Sequence, residues 1–209
     1  MVLTFSEEFL FSAAREYFRR SAGAERPDLL KAAEAARLAV GPALTPQASA
    51  VEYDGFYRPA ECTAFALIDS AAVDRTYVFA LTVGELPSIQ DDPLGAFLAD
   101  AWTTAYTDAA RDALESSLRD LTEDDLTLSP AFGPGFFGMA PESAKAVCAA
   151  AKAGLIGITV TDAGLMLPLK SVCGIYFVTA PGAAMPGPAC AACAGSPRGC
   201  RFCKLRNQP

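Results

Sequence analysis

The chain has no histidine among its 209 residues, which excludes imidazole metal ligation and histidine acid–base catalysis. Any activity must therefore draw on bound cofactors or partners. A long apolar run is also missing. The most apolar stretch, from about Ala149 to Val160, is interrupted by Lys152 and glycines and falls short of the ~20 residues a bilayer-spanning helix needs. Glu7 and Glu8 stand where an export signal would require an unbroken apolar segment, so a cytoplasmic protein without membrane association is expected. Basic residues are few, and a formal charge of −7 excludes a general nucleic-acid binder, which needs a cationic surface to displace counterions. Acidic residues are absent from the end: beyond Asp162 the charged residues are Lys170, Arg198, Arg201, Lys204 and Arg206. A basic end thus follows an acidic body, suited either to docking on that body or to an acidic partner.

What is present suffices for a packed core, since 52% of residues are hydrophobic and 20% charged, enough for one domain and an appendage. Residues 6–20 and 28–40 have helical periodicity, bounded by Ser6, by Pro27 or Asp28, and by Gly41-Pro42. An alternating segment from Val51 to Tyr57 predicts a strand, and Thr76–Val83 a buried one. Asp92-Pro93 predicts the start of the longest helix, with Asp92 as cap, running to about Leu121. On that helix Trp102, Tyr106, Ala109 and Ala113 share an apolar stripe, while Asp108, Asp112, Glu115 and Arg119 share a charged one whose plain reading is a solvated face. Leu126–Ser129 predicts a short strand, Pro141 starts a helix that Gly154 closes, and Ile156–Thr161 and Val172–Thr179 are further strands joined by the loop DAGLMLPLKS. The interleaving lacks a βαβ repeat, so the expected class is α+β with a mostly antiparallel twisted sheet flanked by helices. Three parts follow: a helical segment over 1–45, the α+β domain over 46–180, and a linker with a cysteine-rich tail over 181–209.

Cys190, Cys193, Cys200 and Cys203 form two CxxC pairs six residues apart. A tight turn inside each pair brings two thiolates to one side, and two such pairs complete a tetrahedral site. Metal would also supply folding energy to a tail whose large apolar residues are Phe202 and Leu205. Zinc and an iron–sulfur cluster both accept four thiolates, and the spacing leaves both open. Two disulfides are the alternative, disfavoured in a chain without an export signal. Cys62, Cys148 and Cys173 read as small buried hydrophobes.

Gly133, Gly135 and Gly138 spell GxGxxG, yet a dinucleotide site would start its helix at the second glycine and put Pro141 inside it, at a cost of about 3 kcal/mol. Another pattern fits better. TYVFALTVG, a long helix, the loop SPAFGPGF and then GITVTDAGLMLPLKSVCGIYFV resemble the activation domain of cobalamin-dependent methionine synthase, in a stand-alone form with a cysteine-rich tail. The resemblance spans roughly residues 15–206 and is most specific over Ser129–Gly133 and Thr159–Ile175.

It implies an S-adenosylmethionine site in a shallow groove and docking on a cobalamin-carrying partner, methionine synthase or another corrinoid protein. The implied function is reactivation: inactive Co(II) corrinoid is reduced by one electron and trapped by methyl transfer from S-adenosylmethionine. Matching positions carry the implied ligand roles: Asp108 on the helix, Ser129, Pro130, Phe132 and Gly133 in the first loop, Lys170, Ser171, Val172 and Gly174 in the second, and Tyr176 behind it. Plainer readings stand beside these, with Asp108 solvated, Phe132 in the core and Lys170 covering apolar surface by its stem. The chain departs from the family where an arginine precedes the first loop, since Leu126, Thr127 and Leu128 fill that approach, and SPAFGPGF lacks a tyrosine and an aspartate of the usual loop. The missing arginine favours one alternative, a docking partner without the methyl donor; the cysteine tail opens another, an electron donor whose tail holds an iron–sulfur cluster.

Overall fold

The computed structural model describes residues 1–22, 27–85 and 92–185. Its elements are β1 (Val2–Thr4), α1 (Glu7–Ala22), α2 (Pro27–Val40), β2 (Gln47–Asp54), β3 (Val73–Thr82), α3 (Pro93–Asp120), β4 (Thr127–Leu128), α4 (Ala144–Ala150), β5 (Thr159–Val160), β6 (Met166–Leu167) and β7 (Ser171–Thr179). Five strands form one antiparallel sheet in the order β1-β2-β3-β7-β4, and β5 and β6 make a separate hairpin. The expected α+β class with an antiparallel sheet is therefore the fold of the chain.

Side chains alternate across a strand, and here both faces are covered. Tyr77, Phe79 and Leu81 of β3 and Tyr176 and Val178 of β7 face α1, α2 and α3, whose Leu10, Phe18, Ala36, Trp102 and Leu114 complete one core. Val78 and Ala80 of β3 and Ile175 and Phe177 of β7 face the opposite layer, with Phe65, Phe132, Met139, Val147 and Ile156. Burial on both faces is why β3 and β7 read as continuous apolar runs rather than alternating ones. Phe65 and Phe132 meet Phe177 with ring centroids 5.4 and 5.5 Å apart.

Several boundaries differ from expectation. Asp92 precedes α3 but makes no side-chain cap; its backbone carbonyl takes the Ala96 N–H at 2.8 Å. The Pro141 segment breaks into 3₁₀ turns at Pro141–Ser143 and Ala153–Ile156 around α4, and the chain turns at Gly157 (φ +76°) rather than Gly154. Extending to Gly157 buries Ile156. β1 and β6 were not foreseen, because two or three residues are too few to show a period. The GxGxxG stretch forms a tight loop, with Gly135 and Gly138 at positive φ and the Gly133 carbonyl accepting from Phe136 N–H at 2.9 Å, and no helix opens at its second glycine.

Candidate functional site

The expected loop Ser129–Gly133 lies along the outer edge of β7, continuing the short β4. Ser129 N–H donates to the Phe177 carbonyl at 2.8 Å, and the Ser129 hydroxyl accepts Phe177 N–H at 2.9 Å. That hydroxyl also donates to the Pro130 carbonyl at 2.8 Å. Phe132 exchanges two backbone bonds with Ile175, at 2.9 and 2.7 Å. Two glycines permit the approach: a Cβ on Gly133 would lie 2.8 Å from the Cys173 carbonyl oxygen, and one on Gly174 would lie 2.5 Å from that of Phe132. The Phe132 ring is fully buried in the layer opposite α1–α3, so its aromatic face packs in the core. Pro130 and Ala131 are half-buried, and Ala131 packs against the helical core.

Tyr176 is fully buried against α3, stacked on Phe79, with its hydroxyl 3.3 Å from Glu115 Oε2. Burial and the nearby carboxylate raise its phenol pKa. Lys170 sits at the other end of β7, where Nζ meets Asp100 Oδ1 at 2.7 Å and the Thr104 hydroxyl at 2.8 Å. Ser171 donates to the Pro168 carbonyl at 2.6 Å, and Val172 packs against the helical core. At about 3.3 Å per residue, Lys170 and Tyr176 are roughly 20 Å apart along the strand. The helix keeps the same pace, since Asp100 to Glu115 spans roughly 22 Å at about 1.5 Å per residue. α3 and β7 therefore run side by side in the same direction, and Asp108 falls about midway between the two ends. The structure thus brings Ser129, Phe132, Gly133 and Gly174 together, turns the Tyr176 side chain to the α3 face of the sheet, and sets Lys170 and Ser171 apart. Beside Lys170 opens a cleft of about 490 Å³, lined by Gly84, Asp100, Gly157, Thr159, Leu169 and Lys170.

The charged stripe of α3 is not simply solvated. Arg111 bridges Asp108 at 3.1 Å and Asp112 at 3.3 Å, while its own side chain is only 29% exposed. The Tyr17 hydroxyl of α1 donates to Asp112, and its pKa is raised by burial and by that bond. Glu115 faces Tyr176 and pairs with Arg119 at 2.7 Å. Arg111 was not foreseen as part of the site, although its three-residue spacing from Asp108 was visible; Tyr17, 95 residues from Asp112, gave no local signal. The stripe holds three carboxylates and two guanidinium groups, a partly desolvated surface with a negative balance.

Cys190, Cys193, Cys200 and Cys203 lie outside the described residues. Among the described residues, no group of three or more Cys, Asp and Glu side chains is placed to hold a metal. Cys62, Cys148 and Cys173 are all buried free thiols. Among the described residues no helix is long and apolar enough to cross a membrane.

No protein-family profile and no curated protein matches the chain. Among solved structures, the MetH reactivation domain bound to AdoHcy superposes with a TM-score of 0.60 over 90% of this chain and 80% of that one, at 14% identity. The chain has the fold of that reactivation domain.

Proposed function

We propose that the chain binds S-adenosylmethionine and acts as a reactivation factor for a corrinoid protein. The observation that carries this reading is the shared fold with a reactivation domain that holds AdoHcy, the demethylated form of that ligand. When both are bound, S-adenosylmethionine would supply a methyl group to cobalamin on the partner after its one-electron reduction from Co(II). The residues of this chain would position rather than react. The negative balance of the α3 stripe suits a ligand cationic at its sulfonium and ammonium groups, with Asp108 toward the ammonium or the ribose hydroxyls. Ser129, Pro130, Phe132 and Gly133, pinned to Ile175 and Phe177 on β7 next to Gly174 and Tyr176, would offer a rigid edge to the methionine end. Lys170, Ser171 and Val172 would border the far end of the groove. Cys190, Cys193, Cys200 and Cys203 would hold zinc or an iron–sulfur cluster.

A second reading is favoured by one observation. Thr127 and Leu128 pair with β7 and Leu126 packs on the helical core, so this approach to the loop offers no guanidinium to pair with a ligand carboxylate. A docking partner without methyl-donor affinity, or an electron donor through a tail cluster, would keep the same fold. The test mixes the anaerobically purified protein with a Co(II) corrinoid protein, a one-electron reductant and S-adenosylmethionine carrying a labelled methyl group. Label appearing on cobalt only when the chain is present supports the proposal. Faster reduction without S-adenosylmethionine favours the electron donor, and specific binding without either favours the docking partner.

A further inference from the structure

In a chain with a formal charge of −7, carboxylates are plentiful and most arginines have one. Arg20 pairs with Glu16, Arg37 with Glu7 and Glu34, Arg75 with Asp74 and Glu123, Arg111 with Asp108 and Asp112, and Arg119 with Glu115. Arg58 lies over the Phe56 ring instead. Arg15 and Arg19 of α1 differ: among the described residues neither stands in an ion pair. Four residues apart, they share one face of the helix, where like charges repel. Both border a cavity of about 270 Å³ between α1, α2 and α3. The helix dipole accounts for cations in the last turn of α1, where Arg19 and Arg20 stand, but not for Arg15.

The rest of that cavity is mainly aromatic and apolar. Phe11, Phe18 and Trp102 line it together with Leu30 and Ala33. Trp102 stacks on Phe18 with ring centroids 4.1 Å apart and on Phe11 at 6.3 Å, and its indole N–H donates to the Ala33 carbonyl at 2.8 Å. The floor is therefore a fixed surface tied across three helices. Phe11 is half-buried and Leu30 exposed, so flat apolar surface reaches solvent beside the two guanidinium groups. One carboxylate, Glu34, also borders the cavity, but Arg37 holds it at 2.8 Å. The mouth keeps a positive balance on an acidic protein.

We propose that this cavity is a binding site for a small aromatic carboxylate, its ring against Phe11, Leu30 and the Trp102–Phe18 stack and its carboxylate between Arg15 and Arg19. Guanidinium groups take carboxylates through charge-assisted hydrogen bonds in a fixed fork, and aromatic walls accept a further ring in offset or edge-on contact. An anion there also relieves the repulsion between the two cations. Pockets for drug-sized ligands start near about 300 Å³, so this one limits its ligand to one or two rings. The site shares no residue with the Ser129–Gly133 edge or with the cleft at Lys170, and the proposal stands whether or not S-adenosylmethionine binds.

Trp102 is the one tryptophan of the chain, so its emission reports on the cavity. The full chain is titrated with phenylacetate while tryptophan fluorescence is excited at wavelengths that tyrosine does not absorb. Phenylacetamide, which keeps the ring without the charge, and acetate, which keeps the charge without the ring, are titrated alongside. The expected result is a saturable change with phenylacetate, at an affinity about tenfold or more above either control. That preference should vanish in the double variant Arg15→Gln with Arg19→Gln and persist in Arg20→Gln, whose side chain pairs with Glu16. No saturable change up to the solubility of phenylacetate, equal affinity for either control, or undiminished binding by the double variant would overturn the inference. The wild-type series decides the matter even if a variant fails to fold.

Discussion

Replacing Gly174 by alanine tests the contact that places the candidate loop. The new Cβ would lie 2.5 Å from the Phe132 carbonyl oxygen and 2.8 Å from Phe79 Cε1, and the first of these is backbone that cannot rotate away. Either β7 shifts or Ser129–Gly133 lifts from its edge. Forcing a methyl into packed surroundings costs about 1–3 kcal/mol, and loosening the two Phe132–Ile175 bonds costs about 0.5–1.5 kcal/mol each. The expected destabilisation is about 2–6 kcal/mol, which for a chain of this size lowers Tm by roughly 4–24 °C. Urea and thermal unfolding followed by circular dichroism measure it. Gly154→Ala is the control: nothing lies within 4 Å of its Cβ and its φ is not positive, so it should be neutral or slightly stabilising. If Gly174→Ala unfolds within about 0.5 kcal/mol of the parent, the close approach is not what holds the loop.

Other outcomes follow from single contacts. Ser129→Ala removes the hydroxyl that accepts the buried Phe177 N–H and should cost about 1–3 kcal/mol, read from the urea midpoint. Lys170→Met breaks its bonds to Asp100 and Thr104; because Asp100 is largely exposed, the change in stability should stay within about 1 kcal/mol, and a larger loss in the same unfolding measurement would contradict this. Tyr106 and Tyr176 are fully buried with raised phenol pKa values. In the unfolded chain they ionise near pH 10 while the native chain keeps their protons. Their contribution to stability is thus complete below about pH 10 and is lost as pH rises beyond it, by up to about 1.4 kcal/mol per pH unit for each. Absorbance titration at alkaline pH should show these phenolates appearing only with unfolding. A metal assay on the anaerobically purified chain should find bound zinc or iron that falls away in Cys190→Ser and Cys203→Ser.

The elements with strong periodicity were legible in the sequence: α1, α2, α3, β3 and β7 all stand within a few residues of their expected places. Each is long enough, or buried enough, for composition to report its surroundings. What escaped was short or distant. β1 and β6 hold by pairing to partners rather than by their own pattern, and α4 is bracketed by 3₁₀ turns because burial of Ile156 outweighs the stop at Gly154. The loop segment SPAFGPGF was visible as a motif, but its attachment to β7 depends on two glycines forty-one residues apart, Gly133 and Gly174, whose meeting no local rule foretells. Likewise the charged stripe on α3 read as solvated, since the tyrosines that desolvate it come from α1 and β7.

The most direct test of the central claim is isothermal titration of the anaerobically purified chain with S-adenosylmethionine and, separately, with S-adenosylhomocysteine. Saturable one-site binding of both, weakened at least tenfold by Asp108→Ala in a variant that remains folded, is the predicted result. Absence of any heat of binding up to millimolar ligand, with the protein folded and its tail metal-loaded, would contradict the claim.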